Sequence, residues 1–180
     1  NVLMTNLTGK VPPILQRLDY IRFNGEAAGY LHDLTLTGLF YTGAGMVKTD
    51  VMMSIDEQSM SRTYSGSVAS ADLDLGKLLN QEKKFGKVDF NVELKGFNYK
   101  NRYPESYIKG IISSFEYSQY QYENIMLDGV YKDGGFNGRL SMDDANGSVQ
   151  IDGNFNVAKT IPDFNLKASV KNLRPHDLHL

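Results

Sequence analysis

The chain of 180 residues contains no cysteine, which removes disulfides, thiolate metal sites and cysteine nucleophiles together. That absence is compatible with an oxidising envelope compartment. Histidine is scarce, limited to His32, His176 and His179. No stretch approaches the roughly 20 apolar residues that a spanning helix needs, so no membrane span is expected in this fragment. No basic-then-apolar leader opens the chain at Asn1, and it reads as a piece of a longer or processed precursor. Excess charge is missing too: 19 Lys and Arg face 21 Asp and Glu, for a net charge of -2. Nucleic acid is therefore not an expected partner, because a binder concentrates basic residues on one surface. With 41% hydrophobic and 22% charged residues, the composition also argues against disorder.

What is present is alternation. A single domain spanning 1–180 is expected at this length. Short segments with apolar side chains at every second position recur between Gly, Asn and Asp: YLHDLTLTG, GMVKTDVMMSID, TYSGSVAS, GKVDFNVELKG, SYIKGIISSFEYS, ENIMLDGVYKD, FNGRLSMD, SVQIDGNFNV and FNLKASVKN. In one of them, Val88, Phe90, Val92 and Leu94 oppose Asp89, Asn91, Glu93 and Lys95. Period-two patterning with one dry face and turn residues between segments predicts an all-β fold of largely antiparallel strands.

Three regions organise the chain. Residues 12–35 are expected to hold an entry helix over Ile14 to Leu18 and the first strands, opening with Tyr20 to Phe23. Residues 72–84 form a short helical insert, with Asp74 as N-cap or first-turn acid and Leu75, Leu78 and Leu79 on one side. Residues 85–180 make the main meander, with hairpin turns through Asp133, Gly134 and Gly135 and through Asn146 and Gly147. The tripeptide FNG occurs at 23–25 and again at 136–138, with a related DGNF at 152–155, which marks repetitive construction without a fixed period.

Chemistry-bearing residues do not converge. His176, Asp177 and His179 make a metal-like trio on paper, but a solvent-exposed tail is the stronger reading. His32 beside Asp33 is expected as a polar-face pair on a strand, and Asp143 with Asp144 as turn caps, since the spacing and terminal glutamate of a calcium loop are missing. TGAGM at 42–46 lacks the lysine and helix of a phosphate loop. Tyr107, Phe115, Tyr117, Tyr120 and Tyr122 cluster; alternation pairs Phe115 and Tyr117 with Ile111, and Tyr120 and Tyr122 with Ile112. Sheet packing is the favoured role for these rings, ahead of protein contacts or stacking on a ligand. No catalytic residue, metal or cofactor is expected.

Alternation alone leaves two covers for the dry faces, a second sheet or a single sheet curled into a trough. PPILQRLDYIRFNGEAAGYLHDLTLTG, the strand at 43–55, YSGSVASADLDLGKLLNQEKKFGKVDFNVELKGF, the long stretch from YIKGIISSFEYS to DGNFNV and the ending IPDFNLKASVKNLRPHDLHL together resemble the AsmA-like superfamily. Within it the likeness is to the TamB family of translocation and assembly modules of Bacteroidetes, over residues 12–180. The resemblance implies an internal slice of a long periplasmic protein anchored at the inner membrane. It further implies an elongated, open, curled β-taco with one or two short helical segments. Its apolar trough would shield phospholipid acyl chains, support outer-membrane assembly or homeostasis, and leave contacts with an outer-membrane assembly partner to regions outside the slice. On that reading, parity nominates Val51, Met53, Val88, Phe90, Val92, Leu94, Leu127, Leu140, Val149, Ile151, Phe155, Leu166 and Val170 as trough-facing. The competing expectations are a structural spacer or assembly-contact module and, further off, a carbohydrate-binding β domain.

Overall fold

The computed structural model describes residues 13–30, 32–98, 105–156 and 162–177. A single helical turn α1 (Pro13–Gln16) precedes β1 (Ile21–Tyr30), β2 (Asp33–Thr42), β3 (Gly45–Asp56) and β4 (Ser61–Asp74). Helix α2 (Leu75–Leu79) follows, then β5 (Phe85–Asn98), β6 (Glu105–Tyr117), β7 (Tyr120–Lys132), β8 (Gly135–Asp144), β9 (Gly147–Asn156) and β10 (Asp163–Lys171). Among the described residues the ten strands form one sheet in chain order, every neighbour antiparallel, and β1 and β10 remain its edges. The fold is thus all-β, elongated and open, without closure into a barrel.

Local chemistry explains the meander. Asp133 and Gly134 both take positive φ, 51° and 76°, which is the two-residue hairpin geometry that follows the twist of the flanking strands. Asp144 closes the next turn by accepting the Asn146 N–H at 2.9 Å. Asp56 ends β3 by accepting the Gln58 N–H at 2.9 Å and the Ser59 hydroxyl at 2.9 Å, and these bonds, the hydroxyl first, lower its carboxyl pKa.

Among the described residues the buried hydrophobic side chains gather at one end of the sheet. Ala44, Leu73, Leu78 and Val88 are the buried hydrophobic residues among those described, with Leu18, Val47, Leu75, Phe90, Ile112 and Phe115 packed around them. Helix α2 places Leu78 in this cluster. Asp74 caps it by accepting the Lys77 N–H at 2.8 Å, and Asn80, left-handed at φ 57°, ends it after five residues. Lys77 ties the end together through Asp19 at 2.5 Å and the Gly43 carbonyl at 2.9 Å, while Arg17 donates to the Leu78 carbonyl at 2.7 Å. The Asp19 hydrogen bond is the main reason the Lys77 pKa is raised.

Several expectations are corrected. The entry turn spans Pro13–Gln16 rather than Ile14 to Leu18, and β1 extends to Tyr30, because FNGEAAG is short-chained enough to lie as a strand along β2. Leu79 is exposed, since it lies one helical step round the axis from Leu78, away from the buried cluster. His32 lies in the turn before β2, where its ring stacks on Tyr30 at 5.5 Å and its Nδ1 sits 4.0 Å from Glu57, away from any pairing with Asp33. Phe115 shares a face with Ile112 rather than Ile111, because the register shifts between β5 and β6 at Asp89/Phe90 insert one extra residue. A matching shift between Ser70 and Leu73, with Asp72 at φ 54°, turns Leu73 back to the face of Val88.

Gly153 takes φ 144° in mid-strand, and a Cβ there would collide with the Asn165 carbonyl oxygen of β10. The β8–β9 and β9–β10 registers nevertheless run through it without a bulge. Gly153→Ala should lower the unfolding free energy by about 1–3 kcal/mol, the cost of a strained backbone with a side chain. Leu78→Ala should cost at least about 2 kcal/mol as a cavity in the one packed cluster. Urea unfolding followed by circular dichroism checks both.

Candidate functional site

In an antiparallel sheet, residues opposite one another across strands share a face, so the register converts alternation into rows. One row runs Leu34, Met53, Tyr64, Gly96, Ser106, Tyr131, Phe136, Phe155 and Phe164. The next on the same face runs Leu36, Val51, Gly66, Leu94, Ile108, Gly129, Gly138, Gly153 and Leu166. A third carries Val68, Val92, Gly110, Leu127, Leu140, Ile151 and Ala168, and a fourth Val47, Ser70, Phe90, Ile112, Ile125, Met142, Val149 and Val170. Val88 extends the same side at the helix end, opposite Leu73 and Phe115.

All thirteen residues nominated from parity therefore lie on one face, though in different settings. Val88 is buried beneath the helix-end cluster and Phe90 packs against it. Val51, Met53, Val92, Leu94, Leu127, Val149 and Ile151 are half-buried, whereas Leu140, Phe155, Leu166 and Val170 are exposed, Val170 by 52%. No second sheet covers them among the described residues.

Five of the thirteen meet in a concavity of about 550 Å³ over β6 to β10: Leu127, Leu140, Ile151, Phe155 and Leu166. Ile108, Tyr131, Gly134, Phe136, Gly138 and Gly153 complete its lining. Apart from the Tyr131 hydroxyl, no lining side chain is polar, and none is charged at neutral pH. The glycines thin the floor between an aromatic row, Tyr131, Phe136 and Phe155, and an aliphatic one, Leu127, Leu140 and Ile151. Phe136 and Ile108 escaped the sequence reading, although Phe136 has the parity of Leu140 and opens the second FNG.

The FNG repetition has a structural meaning. Gly25 pairs with Gly38 and Gly138 with Gly129, and in both cases the phenylalanine two residues before the first-named glycine lays its ring over the pair. Phe23 and Phe136 thus cover backbone that a cross-strand glycine pair leaves bare.

The tyrosine-rich segment also resolves into contacts. Phe85, Phe115, Tyr117 and Tyr122 form a chain of ring contacts at 5.3–6.3 Å near the helix end, and Tyr120 meets Tyr122 edge-on at 4.7 Å. Tyr120 bonds Asp144 and receives the Asn146 amide at 3.1 Å. Desolvation, ahead of the Asp144 bond, raises its pKa. These rings pack on each other, while Tyr107 lies on the opposite face and donates to Asp128 at 2.9 Å.

That opposite face carries a charge ladder. Glu93, Lys109, Asp128, Arg139, Asp152 and Lys167 oppose one another in turn across β5 to β10, alternating in sign. Lys109 and Asp128 approach to 3.6 Å, Arg139 and Asp152 to 2.5 Å. A one-residue slip would break every pair and turn the apolar rows outward, so the two faces specify the same register. No group of three or more metal-ligating side chains forms among the described residues; the His176 and Asp177 side chains approach to 3.6 Å, and His179 lies outside the described residues. No described helix is long and apolar enough to cross a membrane.

Fold and site together define an open, single-layer antiparallel meander with one apolar and one charged face, a groove-bearing structural or contact module. Comparison with protein-family models, with curated proteins and with solved structures finds no match.

The ladder has a pH signature. The Gln150 amide, 2.8 Å away, and then Arg139 hold the Asp152 carboxyl below its ordinary value. A depressed folded-state pKa contributes stability above the unfolded value and loses it as pH falls through the folded one. Asp152→Asn should therefore remove the contribution present above the ordinary aspartate range, lowering the neutral and alkaline plateau, and flatten the acid side, where the two proteins converge, as measured by thermal unfolding across pH.

Proposed function

We propose that this chain is a non-enzymatic segment of a lipid conduit, in which the apolar face shields phospholipid acyl chains while head groups stay in water. The observation that carries this reading is the uncharged concavity built from Leu127, Leu140, Ile151, Phe155 and Leu166 on a face that no second sheet covers among the described residues. Exposed apolar surface of this extent marks an interaction site. Each methylene leaving water gains about 0.8 kcal/mol, so weakly selective contacts along the rows would hold a chain without a coordinating motif and let it slide.

The resemblance to AsmA-like proteins of the TamB family supports the setting: a periplasmic portion of an inner-membrane-anchored envelope protein that serves outer-membrane assembly or homeostasis. No step in that role needs a nucleophile, metal or cofactor. A second reading, a spacer or assembly-contact module, draws support from the exposed edge strands β1 and β10.

Delipidated protein should take up a fluorescent phospholipid saturably. The paired change Leu140→Asp and Ile151→Asp should abolish uptake, whereas Ile111→Asp and Met126→Asp, on the opposite face, should leave it intact. Absence of saturable uptake by the folded wild-type chain would overturn the conduit reading in favour of the contact module.

A further inference from the structure

The charged face of the sheet also carries apolar side chains. Ile111 on β6 and Met126 on β7 lie directly opposite one another, 49% and 53% exposed, in the row next to the Lys109 and Asp128 pair. On the other side of that pair Tyr107 opposes Val130. Ile111 and Met126, together with Glu93, Lys109, Asp128 and Arg139, line a concavity of about 580 Å³. An apolar centre flanked by charged residues has the anatomy of a protein interface. Strands β6 and β7 are interior to the sheet, so a contact here uses neither of its edges.

The order of signs across the strands says what fits. From β5 to β8 the charged row reads Glu93, Lys109, Asp128 and Arg139, which is antisymmetric about the line between β6 and β7. A two-fold axis along that line, parallel to the strands and relating two copies face to face, exchanges β6 with β7 and β5 with β8. Each Lys109 then faces Asp128 of the second copy, and each Glu93 faces Arg139. By the same operation Ile111 faces Met126, and Tyr107 faces Val130. Every facing pair is thus opposite in charge or apolar on both sides. An axis running across the strands, along the charged row, would instead set each of these charges against its own copy, so the signs select one arrangement. Twisted sheets pack face to face with their strands about 30° apart, which keeps the contacts nearest the axis and separates the flanks.

We propose that the charged face of β5 to β8 is a dimer interface, and that its occupant is the same face of a second copy of this chain. The contact is isologous, each residue meeting the partner of its own cross-strand neighbour, so it closes at two copies. It covers Ile111 and Met126 of both copies at the centre and gives Lys109 and Asp128 a second opposite charge each. The concavity at Leu140 and Phe155 faces away from the contact in both copies, so the dimer is independent of what that concavity carries.

Sedimentation velocity over a range of concentrations should show monomer and dimer and no larger species. Lys109→Asp and Asp128→Lys should each weaken the dimer several-fold or more, because each variant sets like charges against one another on both sides of the axis. An equimolar mixture of the two variants should restore it, since in a mixed pair every charge again faces its opposite. Ile111→Asp/Met126→Asp should leave a monomer, whereas Leu140→Asp, on the other face, should leave the dimer intact. Circular dichroism checks that each variant keeps its sheet. A wild-type chain that stays monomeric throughout would give the face to a different partner and overturn the proposal. Open-ended multimers, a dimer that survives Ile111→Asp/Met126→Asp, or a mixture that fails to associate would each overturn it as well.

Discussion

The antiparallel hydrogen-bond ladder carries this molecule, because little else does. Only four hydrophobic residues among those described are buried, and they sit together at one end beneath a five-residue helix. Elsewhere no second layer lies on the sheet among the described residues, so its side chains lose only part of the water they would shed in a closed core. Cohesion then falls to backbone pairing repeated across ten strands and to neighbour contacts within each transverse row. Local pairing suits the task, since each strand needs only the hairpin before it.

Two faces with opposite chemistry keep that ladder in register. The alternating charges from Glu93 to Lys167 are solvent-screened surface pairs, each of which adds little stability by itself. Their value lies in agreement: the arrangement that joins Arg139 to Asp152 also sets Leu140 beside Ile151 and Phe136 beside Phe155. The same arrangement brings Gly138 beside Gly153 and lowers the floor of the concavity. Stability, register and the shape of the candidate site are consequences of one pattern.

At the helix end the pattern is deliberately broken. The irregular pairings near Asp72 and between Asp89 and Phe90 turn Leu73 and Phe115 onto the apolar side, where Leu78 can meet them. Bulges re-aim side chains by one residue, and they leave no mark in a period-two reading. That is why Phe115 seemed to belong with Ile111, and why the rings of the tyrosine-rich segment could not be assigned to one face from spacing. Helical spacing likewise groups Leu75, Leu78 and Leu79 on one side, but only the first two reach the cluster, because its width decides which flank of that side is covered.

The sequence by itself determined the all-β class, the order of the hairpins, the aspartate cap of α2 and the parity that puts Val51, Val92, Leu140, Ile151 and Leu166 on a common side. These follow from local chemistry: side chains alternate along any strand, Asp-Gly takes positive φ, and a short acid satisfies a helix N-terminus. Only the tertiary structure decided that the common side meets no second sheet among the described residues, that glycines from three strands align beneath an aromatic row, and that a charge ladder runs along the other face. Each of those depends on which strands become neighbours and at what register, a relation between distant residues that no single segment contains.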